Sequence, residues 1–511
     1  RISDQRRLNL RAFNGDDPKA PANNRSTYVD RTVFDVVESL KAKLLRTFYS
    51  GRNVVKFEPR SEDDVLQTEV ANRYTNYCFS VMNDGYRLLN DFFHDALLTK
   101  LGVFKRGFEL KVEYEYEEFE GSEEELEAIL SRPEYELSGP VESFSMAQIA
   151  MTPQGPLSME VSMARCELVK TVETPHVSIS VVAPEYFYLD GQVQERDEVR
   201  FMAECYNATK SELIEAGFDR DVVESLNYSN RTRTDNVQHA RHSRDQDFGY
   251  EQNLGRGENE IVQVFESYIY LDMDDDGVAE LWQTITCGST LLSKKKVNEF
   301  PYLYWSPYAL SHKLIGYCPA DVTVDLQRAM TMTLRGFQDN VWMTNTTRTI
   351  GNLSLVRNPR DLLDNPIGGH IDAPSDAIVP FQTPQLNQAT FGLLENLQQA
   401  KEARTGSTRL GQGLIQDAIS NQNSGSMIES LMNASNERIM EMARSFAETT
   451  FKPLLVDIYT IAKDNGVIGY GAVDGAYTAI QPDQLEYRDD MIVSTALTPE
   501  EGLNEAQALL T

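Results

Sequence analysis

The chain has 511 residues, with 48 Lys and Arg against 78 Asp and Glu, a formal net charge of −30 and a hydrophobic fraction of 41 %. That is the size and composition of a multi-module globular protein, not of a fibrous or disordered one. No segment approaches the roughly 18 uninterrupted apolar residues of a membrane span, the start Arg1-Ile2-Ser3-Asp4 lacks a signal-peptide core, and the acidic balance opposes a tight grip on phosphate.

Residues 1–27 are polar and carry Gly15, Pro18 and Pro21, the composition of an extended arm. Val33, Val37, Leu40, Leu44 and Phe48 recur at steps of three and four and predict an amphipathic helix. Ser61-Glu62-Asp63-Asp64 reads as the cap of a second helix running to Leu101. In that helix Tyr74, Cys78, Val81, Leu88, Leu89, Phe92 and Ala96 point inward and Gly102 is the stop. From Val103 the period becomes two, and Phe108-Glu109-Leu110-Lys111-Val112-Glu113-Tyr114 predicts a strand with one wet acidic face. A short acidic helix at Ser122–Leu130 and alternating segments at Cys166–Val182 and Glu185–Leu189 follow, so the region is α+β with an antiparallel sheet.

Residues 226–258 contain almost no aliphatic side chains and read as a mobile insertion whose arginines are solvated among Asp235, Asp245, Asp247 and Glu251. Strands resume at Ile261–Tyr270 and Glu280–Thr286. A long helix follows between Asp321 and about Asn345, with Leu326, Met330, Leu334, Phe337 and Val341 on one side. Residues 348–388 are broken by prolines, a second helix covers about Thr390–Arg404, and a third runs from Met427 past Phe446. Pro453 should break this last helix near Thr449, and Asn465-Gly466 ends it. The five cysteines, Cys78, Cys166, Cys205, Cys287 and Cys318, have no CxxC or zinc spacing and are expected to be reduced core residues.

The run Lys401-Glu402-Ala403-Arg404-Thr405-Gly406-Ser407-Thr408-Arg409-Leu410-Gly411-Gln412-Gly413-Leu414 resembles a segment of the portal proteins of tailed double-stranded DNA phages, in particular podovirus-type head-to-tail connectors. Asn24 to Asp35, Asn83-Asp84-Gly85, Asp272 to Leu281 and Arg444 to Thr449 are similar to further blocks of that family, in the same order. The resemblance implies an α+β portal fold assembled as a ring of twelve at one capsid vertex, around a DNA channel. By carry-over, residues 1–27 are the N-terminal arm, 28–320 the wing, 321–347 and 389–410 the paired stem helices and 348–388 the clip. Residues 411–426 are then the tunnel loop, 427–465 the long wing helix and 466–511 the crown stub.

The implied partners are further copies of the chain, the major capsid protein, scaffold protein, the large terminase, a tail adaptor and double-stranded DNA, with no membrane and no cofactor. The implied location is the virion, after assembly in the host cytoplasm. The DNA-facing candidates are Lys401, Arg404, Arg409, Gln416, Asn421, Gln422 and Asn423. For the basic trio the alternative is complementing the helix C-terminus and forming intersubunit ion pairs. Another virion structural component is the second reading.

Asp272, Asp274, Asp276 and Glu280 have the oxygen spacing of a calcium loop around Gly277, but the twelfth position is Gln283 and the flanks are strands. An acidic hairpin turn is the alternative. A metal-dependent nuclease would need a matching His/Asp set, and there is neither that nor a phosphate loop or nucleophile elbow. The chain is therefore expected not to be an enzyme.

Overall fold

The computed structural model describes residues 2–16, 25–49, 56–57, 65–152, 155–191, 193–226, 241, 260–273, 275–345, 349–358, 360, 372–374, 377–380, 389–407, 437–473, 476–488 and 491–492. The fold is mixed α and β, as the sequence predicts. Helix α1 is Ile2–Asn14 and α2 is Thr32–Phe48. Strand β1 is Lys56–Phe57, followed by α3 at Val65–Asn76 and α4 at Gly85–Thr99.

These helices share a core with a helical segment at 437–446 and with a later helix at Lys452–Asp464. Phe446 is its centre, with ring centroids of Phe48, Phe92, Phe93, Trp305 and Phe451 all within 5.5 Å. Edge-on and stacked aromatic pairs of this kind add to the area term. All five cysteines are buried thiols.

Two antiparallel sheets flank the core. In one, β11 (Tyr302–Trp305) pairs β2 (Gly102–Ser122), which pairs β5 (Gly155–Val181); β3 (Tyr135–Leu137) and β4 (Glu142–Thr152) lie on the far edge of β5. The other has the order β10-β9-β8-β7-β6, with β6 Phe187–Leu189, β7 Phe201–Thr209, β8 Ile261–Leu271, β9 Glu280–Cys287 and β10 Thr290–Lys296. Helix α5 (Glu123–Leu130) opens with Ser122 in a capping box with Glu125, and the short helices α6 (Lys210–Glu215) and α7 (Arg220–Glu224) follow.

Several expectations are corrected. Residues 2–14 are helical, not extended, because Arg6 and Asn9 are buried donors that fix the helix to α4. Arg6 Nε donates to the Thr99 carbonyl at 2.9 Å and Asn9 Nδ2 to that of Leu98 at 3.1 Å. The helix expected from 61 to 101 is interrupted: a π-helical turn at Tyr77–Val81 and a left-handed Asp84 (φ 49°) separate α3 from α4. Asn83 pins this break to β5, donating to the carbonyls of Cys78 and Val177 and accepting from Ile179 N.

The wider turn shifts the helical phase, so Val81 is 69 % exposed rather than inward. Left-handed Lys100 (φ 77°) ends α4, and Gly102 opens β2 instead. The non-acidic face of β2 is not buried either: Tyr114 and Tyr116 are 59 % and 68 % exposed. Residues 58–64, with the expected cap at Ser61, lie outside the described residues.

The Pro453 break is observed. A π turn at Ala447–Phe451 precedes it, and the Thr449 carbonyl, four residues before the proline, accepts instead from Arg196 Nη1 at 2.7 Å. Asn465 and left-handed Gly466 (φ 69°) close that helix. A hairpin of Gly469–Val473 and Ala476–Ile480 then returns to the core through Val467, Ile480 and Leu485.

Candidate functional site: the paired helices and their root

Helix α8 spans Pro319–Asn345 and α9 spans Ala389–Thr405. At 1.5 Å per residue they measure roughly 40 and 25 Å. They run antiparallel: Phe337 meets Phe391 edge-on at 5.5 Å near one end, and Arg404 meets Asp325 near the other. Of the predicted stripe, Leu326 and Met330 are buried against the body. Further out the pair is uncovered: Met332 is 68 % exposed, Phe391 55 % and Leu393 48 %.

The root of α8 is a buried polar knot. Asp321 takes Lys100 Nζ at 3.1 Å, Asn9 Nδ2 at 3.0 Å and the Cys318 N–H at 3.0 Å. The side chains of Lys100 and Asp321 are only 4 % and 11 % exposed. A carboxylate in the first turn also suits the helix dipole. The left-handed backbone at Lys100, unfavourable for a side chain with a Cβ, lets one residue end α4 and reach α8.

A strap then holds α8 along its length. Ser26 N donates to Asp339 Oδ1 at 2.7 Å, Arg335 Nε to the Tyr28 carbonyl at 2.7 Å, Asp30 N to Thr331 Oγ1 at 3.1 Å and Val33 N to Gln327 Oε1 at 2.8 Å. Strap and helix therefore run antiparallel over about three turns of α8. Sequence reasoning marked Asn24 to Asp35 only as a recurring block. The side chains that satisfy the strap backbone are Gln327, Thr331, Arg335 and Asp339, spaced by four on one face of α8, and that polar spacing is the signal it left unused.

Of the basic candidates, Arg404 Nη1 lies 2.9 and 2.8 Å from the two oxygens of Asp325 and 3.0 Å from the Val322 carbonyl. This ion pair is made inside one chain, whereas the alternative places the pairs between subunits. Lys401 faces α2: burial raises the Asp35 carboxyl pKa and the Lys401 charge pulls it back. Left-handed Gly406 (φ 68°) turns the chain after α9, and Ser407 Oγ donates to Ser39 Oγ at 3.2 Å. Arg409, Gln416, Asn421, Gln422 and Asn423 lie outside the described residues, as do most of 348–388 and all of 408–436.

A protein-family model matches this chain from residue 1 to residue 510, and its description is phage SU10 portal protein. The chain belongs to that portal family. Curated proteins gave no match. Membership makes this portal protein a structural virion component of a bacteriophage. No helix among the described residues is long and apolar enough to cross a membrane.

The acidic turn between β8 and β9 is a hairpin turn. Asp272 Oδ2 accepts the Gly277 N–H at 2.8 Å, Asp276 Oδ1 accepts that of Val278 at 2.7 Å, and Glu280 Oε1 pairs Lys296 Nζ at 2.5 Å. Asp274 lies outside the described residues. The carboxylates that are described are spent on the turn itself and on Lys296.

The insertion reading changes at Arg241. This side chain is not solvated: it holds Glu185 through Nε at 2.7 Å and Nη2 at 2.9 Å, and Asp95 through Nη1 at 2.9 Å. The neighbouring residues 227–240 and 242–259 lie outside the described residues.

Proposed function

We propose that this portal protein assembles as a ring of twelve at one capsid vertex. The ring forms the channel for genome packaging and ejection and the platform on which the packaging motor and tail dock. In this reading α8 and α9 form the stem, 348–388 the clip, 411–426 the tunnel loop and 427–465 the long wing helix. The body from 28 to 320 is the wing, and 466–511 is the crown stub. The observation that carries it is the α8–α9 pair, anchored firmly at its root yet exposing Met332, Phe391 and Leu393 farther out. Apolar groups on a lone helical pair need neighbours to cover them, and a repeated heterologous contact closes a ring.

The charge supports the same reading. Twelve such chains carry about −360 formally, which repels phosphate and keeps DNA mobile. Arg404 is neutralised by Asp325, so it contributes to stem geometry more than to DNA contact. The loop candidates Gln416, Asn421, Gln422 and Asn423 are amides, which exchange phosphate contacts without a deep charge-based well. Major capsid protein, scaffold protein, large terminase and a tail adaptor are the partners this role requires.

Deleting Gln416–Ser424 tests the loop. Rings and procapsids should form normally while packaged or retained genome falls. Loss of rings, or wild-type DNA filling, would remove the loop from the channel.

A further inference from the structure

Beyond Val177, which is buried in the main core, the ribbon of β2 and β5 carries an apolar face that the described residues of its own chain leave exposed. Register places Phe108, Leu110, Val112, Tyr114 and Tyr116 on that face, opposite Val177, Pro175, Glu173, Thr171 and Val169. The five β2 side chains are between 38 % and 68 % exposed. At about 3.4 Å per residue the stripe is about 27 Å long. Helix α5 covers the opposite face farther out, where Leu126 packs on Cys166 and Leu168, and leaves this one open. A two-stranded ribbon bare on an apolar face is marginal in water, and a continuous stripe of this kind marks a contact surface.

The charges on the same face are Glu173, beside Val112, and Glu118 and Glu167, opposite each other at its outer end. None of the three has an ion pair among the described residues. The surface that fits must therefore offer apolar groups and cations together.

The chain carries such a surface. On the outer face of the five-stranded sheet, one cross-strand row runs Phe201, Ile269, Trp282, Lys296. Beside it, on the same face, lie Leu271, 37 % exposed, and Lys294 at the open edge. Phe201, Ile269 and Trp282 are all half-buried and belong to none of the chain's hydrophobic clusters. Trp282 Nε1 is buried without a hydrogen-bond acceptor among the described residues. An antiparallel sheet with a solvated outer face is normally polar there.

Within one chain, no hydrogen bond, ion pair or ring contact among the described residues joins 108–117 to this row. We propose that the apolar face of the β2–β5 ribbon docks on the outer sheet face of a second copy of this chain, with Glu173 meeting Lys294, since Lys296 is already held by Glu280. The contact is heterologous, so each copy offers both surfaces and the contact repeats around a closed ring. It rests on the ring reading above and adds a second subunit contact outside the stem.

A photo-crosslinking phenylalanine analogue at Tyr114, in purified rings of the full chain, tests it. Irradiation should give a product of twice the chain mass, with the link mapping to residues 199–209 or 261–296. Glu173→Lys should lower ring yield at dilute protein, and Lys294→Glu in the same chain should restore it, with the circular dichroism of both variants unchanged. Rings that form but crosslink elsewhere in the chain, not at all, or only to another virion protein overturn the docking while leaving the ring standing. A wild-type chain that forms no ring overturns both.

Discussion

Replacing Arg241 by Ala should destabilise the body strongly, with a penalty that grows as pH rises. The guanidinium sits between two carboxylates whose side chains are only 10 % and 1 % exposed, Asp95 on α4 and Glu185 before β6. Removing one partner of a buried ion pair strands the other charge, at a cost of about 3–5 kcal/mol. For a domain of this size that lowers the melting temperature by on the order of 10 °C.

In the wild type, burial alone would raise the Asp95 carboxyl pKa. The hydrogen bond from His94 and the Arg241 charge outweigh burial and hold it below the ordinary value. Its contribution is therefore present above the unfolded value of about 3.9 and fades as pH falls. Without Arg241 only His94 opposes burial, so the folded carboxyl moves up from its wild-type position. The stability that the lowered carboxyl contributes above about pH 3.9 therefore shrinks, and the gap from wild type widens between pH 4 and pH 8. Urea midpoints at those two pH values measure it. A penalty under about 1 kcal/mol, equal at both, would refute the buried-pair argument.

Lys100→Met should cost about 3–5 kcal/mol by stranding Asp321 at the root of α8, and adding Asp321→Asn should recover most of it; hydrogen exchange over 320–326 reports the effect. Glu266 is held below its ordinary pKa: burial opposes this, and the Lys105 charge with the hydrogen bonds of Lys105, Tyr268 and Gln283 outweighs burial. Glu266→Gln should therefore cost about 1–3 kcal/mol at pH 7. That penalty shrinks as pH falls below about 4.5, where the wild type also loses the charge, which paired unfolding curves at pH 3.5 and 7 measure. Gly316→Ala places a Cβ 1.9 Å from the Tyr308 carbonyl oxygen, so the strand pair before α8 must shift. Loss of about 1–3 kcal/mol in thermal unfolding is expected.

Periodicity and punctuation located α2, α8, α9 and the Pro453 break because each is a local pattern; the α2 face packs as written, while on α8 only Leu326 and Met330 of the stripe are buried. It failed at α1, where the helix is held by two polar donors reaching carbonyls of α4, a signal with no apolar period. It failed again between α3 and α4, where the apolar spacing continues but Asn83 ties the break to β5, about 95 residues away. The left-handed Lys100 was hidden for the same reason: its partner Asp321 is remote in sequence. The basic cluster was legible as residues but not as a geometry, since the ion pair of Arg404 depends on α8 and α9 lying antiparallel. Arg241 sits in a stretch whose composition marks solvent, and two buried carboxylates claim it.

The central claim is a ring of portal subunits around a channel. Averaged end-on electron-microscope images of the purified full chain measure it directly. The account predicts twelve-fold rings with an open central hole. Particles without rotational symmetry, or closed discs with no hole, would contradict it.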